Sequence, residues 1–325
     1  MIVLKMKSNE PYKTLSLEEL ILKDEKYIDQ DIMLLYQHDN SIIIGRNQNL
    51  HEEINLDYTN EHNIKIARRI SGGGAVYHDL NNLNFSFITN KTTKGYKQFL
   101  QPIIEYLNQI GVPAQFEGRN DIKANGLKIS GNAQFIYKNR MFSHGTLLFN
   151  VNIEKMVGSL KPNPLKMQSK GIKSVRQRVG NIKDMLKEDI SIDDFANNLI
   201  KYMQEKYGAV LKTEKDFDYK EHAALAKYKQ SDEWLYFKNP EFSIVNTMKF
   251  DNGLISFKAN LEENKIKSIA FEGDFLSQKE MSDVIHLFDN ANYDKKTFAT
   301  ILDKIDLNLY FGWIKKEELI TLIFG

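Results

Sequence analysis

Residues 68–79 read Arg68-Arg69-Ile70-Ser71-Gly72-Gly73-Gly74-Ala75-Val76-Tyr77-His78-Asp79. Three consecutive glycines remove every Cβ from a short stretch, so the backbone can approach a ligand closely and present N–H groups to an anion. Arg68 and Arg69 just before them add charge suited to phosphate. A glycine triplet by itself reads more often as a turn between strands, so the surrounding segments have to decide. The stretch is neither a GxxxxGK[ST] phosphate loop nor a GxGxxG dinucleotide loop.

Downstream, Gly118-Arg119-Asn120-Asp121-Ile122-Lys123-Ala124-Asn125-Gly126-Leu127-Lys128 runs on into Ile129-Ser130-Gly131-Asn132-Ala133-Gln134. Asn125-Gly126 is a strong hairpin signal, which puts Lys128 just inside the returning strand. A lysine leaving a tight turn is usually a solvated surface charge. Beside a glycine-rich anion loop it becomes a fixed cation able to align a carboxylate with the phosphate it attacks, and to neutralise the developing charge. Asp121 and Asn120 offer oxygen ligands for the magnesium that accompanies ATP, though such a pair is as often a turn. Phe142-Ser143-His144-Gly145-Thr146-Leu147-Leu148-Phe149-Asn150 ends as a buried strand, with His144 in a supporting role at the edge of a pocket. Between Glu154 and Asp184 there is no acidic residue, while Lys155, Lys161, Lys166, Lys170, Lys173, Arg176, Arg178 and Lys183 all occur. This stretch suits a solvated face, a nucleic-acid contact or a basic loop closing over a nucleotide.

The wider chain constrains these readings. Its 325 residues, 42% hydrophobic and 27% charged, fit a soluble globular protein of one large or two smaller domains. A net charge of +1 argues against wholesale nucleic-acid coating. No apolar run approaches the ~18–20 residues of a membrane span. The N-terminal segment lacks a secretory h-region, so a cytoplasmic protein is expected. The absence of cysteine excludes a cysteine nucleophile, so any acyl group must be activated another way.

Periodicity predicts a helix capped by Ser16 with Glu19 in the capping-box position, and a buried strand at Ser41–Ile44. Leu83, Phe85 and Phe87 alternate with Asn84 and Ser86 as in a half-buried strand. Helical spacing carries Phe99, Ile103, Ile104 and Leu107 up to Gly111, and Phe195, Leu199 and Met203 from Ser191 to Gly208. After about Pro240 three short strands are expected over 243–272, then helical segments near 277–289, 295–306 and 313–323. This is an α+β protein with residues 1–240 as the large domain and 241–325 as a small accessory domain.

Residues 68–79 resemble the RRxSGGGAVFHD loop of lipoate-protein ligases. Residues 118–134 are similar to that family's GRND…KxSGxA segment, and residues 141–150 and 170–182 are similar to two further family stretches. Ile70 and Tyr77 depart from the common loop without altering charge or glycines. The resemblance implies a mixed-sheet catalytic domain shared with biotin-protein ligases, plus an accessory domain. It implies that lipoate attacks the α-phosphate of Mg-ATP to give lipoyl-AMP, and that a lysine of a lipoyl domain then displaces AMP. On this resemblance Arg69, Gly74, Ala75, Val76 and Tyr77 contact ATP, and Lys128 contacts both ATP and the lipoyl carbonyl. Gly72, Gly73 and His144 join Lys128 in the lipoate site, and Asp121 is the candidate magnesium ligand. The implied partners are lipoyl domains of 2-oxoacid dehydrogenase acyltransferase subunits or the glycine-cleavage H protein, with no nucleic acid or membrane, and a monomer is expected. An acyl transferase of this fold would need the missing cysteine. A biotin ligase would need a GRGRxGR loop, which is also missing. A non-catalytic lipoate or nucleotide carrier is the remaining alternative.

Overall fold

The computed structural model describes residues 1–92, 95–161, 178–236 and 242–325. An eight-stranded mixed sheet runs in the spatial order Val210–Lys212, Ile2–Lys5, Ile32–Tyr36, Asn82–Asn90, Arg140–Leu148, Leu127–Tyr137, Asp121–Ala124 and Ala114–Glu117. The first three strands are parallel and the later pairings antiparallel. In a second, three-stranded sheet, Ser41–Ile44 lies between Lys65–Arg68, parallel to it, and Val76–His78, antiparallel to it. The glycine triplet therefore crosses the end of the central strand, from one edge of the small sheet to the other.

Local sequence explains most of the elements that hold the site. Asn125 and Gly126 both take positive φ, 52° and 78°, and close the hairpin that delivers Lys128. Ser191 accepts from Asp194 N to cap helix Ile192–Tyr207, and Gly208 closes it in the left-handed region. Helices Gly95–Gln109 and Ile192–Tyr207 cover one face of the large sheet through Phe99, Leu100, Phe195 and Leu199. The first helix and the small sheet cover the other face, through Leu17, Ile21, Ile42 and Ile44.

Two local expectations are corrected. The first helix spans Pro11–Lys23, so Ser16 lies inside it and donates back to Tyr12 O at 2.6 Å rather than capping it. Pro11, whose fixed φ suits a first turn, is the true start. Strand Asn82–Asn90 is buried on both faces, with Asn84 1% and Ser86 0% exposed. Its polar side faces the first helix and an internal cavity instead of solvent, which a period of two cannot reveal.

The C-terminal meander Ile244–Phe250, Gly253–Glu262 and Lys265–Gly273 matches the expected strands. Its helices are Ser282–Ile285 (continued by a short turn), Lys295–Leu302, Leu307–Phe311 and Lys316–Phe324. This unit has its own aromatic core around Phe257, Phe271, Phe288 and Phe298. The expected boundary near 240 falls on residues outside the described ones. So do Lys166, Lys170, Lys173 and Arg176, most of the expected closing loop. Among the described residues, no helix is long and apolar enough to cross a membrane.

Candidate active site

The two arginines of the glycine stretch anchor backbone. Arg69 is buried and donates from Nε to Ser71 Oγ at 3.1 Å, from Nη1 to Ile43 O at 3.0 Å, and from Nη2 to Gly72 O and Gly74 O at 2.8 Å each. Arg68 donates to the carbonyls of Gly45, Arg46 and Gln48 and to those of Trp234 and Leu235. Carbonyls at the end of a small sheet have no strand partner, and a guanidinium fork satisfies several at once. The sequence reading assigned this charge to phosphate. In the fold it gives the loop its shape, and Arg69 reaches the site as part of the inner wall.

The glycine amides are also differently employed. Gly73 N donates to Phe275 O at 3.0 Å and Gly72 N to Ser277 O at 3.3 Å, so the C-terminal unit docks on the back of the loop. Gly72, expected in the lipoate site, faces this docked segment and is not among the residues lining the two cavities that meet at Lys128. Gly73, with φ of 91°, and Gly74 do line one. Gly45, which follows strand Ser41–Ile44, packs so tightly that an added Cβ would lie 2.0 Å from Gly73 O. Gly45→Ala is therefore expected to push the loop out of place and lower the melting temperature by several degrees. An unchanged melting temperature would refute this reading of the contact.

Two cavities meet at Lys128. The inner one, of about 150 Å³, lies between the first helix, the glycine loop and strands Leu127–Tyr137 and Arg140–Leu148. The outer one, of about 620 Å³, carries Asp121, Lys123 and Arg178. Ala75, Val76, Lys128, Gly131 and Thr146 line both. Lys128 Nζ is paired with Asp121 Oδ1 at 2.7 Å and lies where a Cβ on Gly131 would be 2.9 Å away. Its backbone is held by Arg178–Gly180, through Lys128 N to Arg178 O at 2.8 Å and Gly180 N to Lys128 O at 3.0 Å. Tyr77 lines the outer cavity although its side chain is buried and its hydroxyl donates to Asn40 Oδ1 at 3.1 Å.

His144 lines the inner cavity and links two elements. Its Nε2 lies 2.7 Å from Ser71 Oγ and its Nδ1 3.1 Å from Glu18 Oε1 on the first helix. Tyr36 donates to the same Glu18 oxygen at 3.4 Å, and burial with the nearby Glu18 charge raises the Tyr36 hydroxyl far above its ordinary value. His38 and His78 line the same cavity. Sequence reasoning missed Glu18, Tyr36 and His38, because only the fold brings residues 18, 36 and 38 to the loop at 71–78. Among the described residues, no group of three or more His, Asp or Glu could hold a metal ion. Asp121 stands as a single carboxylate on the outer cavity, a donor set that fits a magnesium ion carried in on phosphates rather than a protein cage.

Comparison with known proteins agrees with this geometry. Residues 10–204 match the lipoyl protein ligase A/B catalytic domain, and residues 239–323 match the bacterial lipoate protein ligase C-terminus. The chain is 40% identical to lipoate-protein ligase LplJ of Bacillus subtilis and 39% identical to lipoate-protein ligase 1 of Staphylococcus aureus, with 97% of each chain covered in both cases. Among solved structures, Plasmodium falciparum LipL1 in complex with lipoate superposes with a TM-score of 0.81 at 25% identity, covering 98% of this chain and 97% of that one. The bipartite lipoate protein ligase of Thermoplasma acidophilum, described with its E2 lipoyl domain, gives a TM-score of 0.61 at 29% identity over 75% of this chain and 98% of that one. A lipoate-protein ligase A bound with ATP gives 0.59 at 27% identity over 73% and 99%.

Proposed function

The chain belongs to the lipoate-protein ligase family and is an ATP-dependent lipoate-protein ligase, and from that premise we propose how its two cavities divide the work. Lipoate enters the inner cavity with its carboxylate toward Lys128, and ATP occupies the outer cavity with its α-phosphate on the other side of the same ammonium. The observation that carries this reading is that Lys128 lines both cavities. A carboxylate oxygen bonds to the α-phosphorus as the bridging oxygen to the β-phosphate leaves with pyrophosphate, giving lipoyl-AMP. The Lys128 ammonium holds the two anions together and balances the charge that builds on the phosphoryl oxygens. In the second step the amine of an acceptor lysine attacks the acyl carbon, an amide forms, AMP leaves and the amine proton passes to solvent.

Ala75, Val76 and Tyr77 line the outer cavity and form the nucleotide side of the loop, with Gly74 at its junction with the inner cavity, and Arg69 serves ATP indirectly by holding the carbonyls of Gly72 and Gly74. Lys123 and Arg178 supply positive charge for the phosphates. Asp121 would hold magnesium, which when bound would offset phosphate charge. Gly73 and His144 shape the lipoate side with Lys128. Residues 1–240 form the catalytic domain and 241–325 an accessory domain whose Phe275–Ser277 segment braces the glycine loop. Lipoate-protein ligases act on lipoyl domains. For this chain the expected acceptors are the 2-oxoacid dehydrogenase acyltransferase subunits and the glycine-cleavage H protein, with the ligase a monomer in the cytoplasm. The test is exchange of labelled pyrophosphate into ATP with and without lipoate. Exchange that depends on lipoate is the expected result, and exchange that needs no acid, or none at all, would overturn the reading.

A further inference from the structure

A single carboxylate stands in a site built for two anions. Arg69, Lys123, Lys128 and Arg178 line the two cavities, and among the described residues Asp121 is the only acid that does. Its partner is Lys128, whose Nζ lies 2.7 Å from Asp121 Oδ1. A β-bulge makes this pairing possible. Ile122 stands opposite Ser130, but the register then shifts and Lys123 stands opposite Lys128, leaving Ile129 as the extra residue. Without the shift Lys128 would belong to the other face of the sheet. The bulge turns it onto the face of Asp121 and Lys123, and all three line the outer cavity. Asp121 stands opposite Gly131, where a Cβ would come within 2.9 Å of Lys128 Nζ. The missing side chain leaves the lysine room to cross Gly131 and reach the carboxylate.

An ion pair between two partly exposed side chains adds little to stability. Its effect on the site is larger. An acid entering the inner cavity brings its carboxylate to an ammonium whose charge Asp121 already offsets, and it meets a like charge beside it. Asp121 therefore disfavours any further anion at Lys128 for as long as it stays paired there. Magnesium carried on nucleotide phosphates offers the same carboxylate a second cation to face. When Asp121 turns to that cation, Lys128 is released and the like charge is offset.

We propose that Asp121 is a displaceable counter-ion of Lys128 that couples the two substrates, so that the acid binds well only beside magnesium-bound nucleotide. The inference rests on the ligase reading and the magnesium placement above. By linkage, the nucleotide gains from the acid as much as the acid gains from the nucleotide. A carboxylate that merely held the lysine in place by a hydrogen bond would behave differently. Asparagine keeps an oxygen able to accept from Lys128 and removes only the charge.

The experiment is calorimetric and reads the Kd of lipoate for wild type and Asp121→Asn. Each is measured alone and with magnesium plus the α,β-methylene analogue of ATP, whose α–β bridge resists cleavage. Wild type is expected to bind lipoate about tenfold tighter with the magnesium-bound analogue than without it. Asp121→Asn is expected to bind lipoate alone several-fold tighter than wild type does, and to gain less than about twofold from the analogue. Coupling of wild-type size in Asp121→Asn means a hydrogen-bonding role only and overturns the proposal. Should that variant fail to fold, wild type decides by itself. The analogue with EDTA in place of magnesium is expected to leave the lipoate Kd unchanged, and a gain equal to that with magnesium would overturn the proposal, as would no gain in either case. Pyrophosphate exchange in wild type that needs no acid, or none at all, would instead sink the ligase reading.

Discussion

Lys128→Ala is expected to lower lipoate-dependent pyrophosphate exchange by at least about 10²–10³-fold while the protein stays folded. The side chain is about one-third exposed, and its recorded ion pair is with the partly exposed Asp121. Truncating it removes a surface-type ion pair, which contributes about 0–1 kcal/mol to stability. Its strand is held by main-chain bonds from Arg178–Gly180 that alanine keeps. The charge it places between the two cavities has no such backup. Binding of each substrate alone is expected to change much less than kcat, because the lysine acts most where negative charge concentrates in the transition state. Exchange near the wild-type rate in a variant with a wild-type melting curve would remove Lys128 from the chemistry.

Arg69→Met is expected to act in the opposite order, stability first and activity as a consequence. Burial lowers the guanidinium to about 10, with Tyr36 and Glu18 opposing the drop, so it remains charged at neutral pH. Its bonds to Ser71 Oγ and to three carbonyls join the end of strand Ser41–Ile44 to both flanks of Gly73. Methionine fills much of the volume and leaves those carbonyls without a donor in a site closed to water. Charge-assisted bonds contribute about 1.5–3 kcal/mol each and do not add fully, so a loss of about 3–5 kcal/mol is expected. At about 2–4 °C per kcal/mol for a domain of this size, melting should fall by roughly 6–20 °C. Activity below that transition should fall too, since Gly73 and Gly74 line the inner cavity. A melting temperature within about 2 °C of wild type would show that the loop holds itself and that Arg69 is free for the nucleotide.

The difference between these two residues shows what was legible. Lys128 was readable because its placement depends on a local signal, the Asn125-Gly126 turn, plus the chemistry of a cation beside glycines. Arg69 reads as a phosphate ligand because charge beside a glycine loop suits an anion, whereas its bonds in the fold go to Ser71 Oγ and three backbone carbonyls. Whether a guanidinium faces a ligand or folds back onto carbonyls depends on which strands end nearby. The small sheet that leaves those carbonyls open is formed from residues 41–44, 65–68 and 76–78. The Ser16 error is of the opposite kind: a good local capping signal yielded to Pro11 and to the burial of Glu18 against His144 and of Glu19 against Lys229.

The glycine triplet spans both cases. By itself the sequence determined that residues 72–74 could approach a neighbour closely, that a hairpin signal precedes Lys128, and that acyl activation could not use cysteine. These follow from backbone sterics, turn propensity and composition, which act over a few residues or over none in particular. Only the tertiary structure decided which neighbour each glycine approaches: Gly72 the C-terminal unit, Gly73 and Gly74 the inner cavity. It alone brought Glu18, Tyr36 and His144 together. Contacts across tens or hundreds of residues are set by how sheets and helices bury their apolar faces, and the polar side chains carried along meet partners that no local pattern encodes.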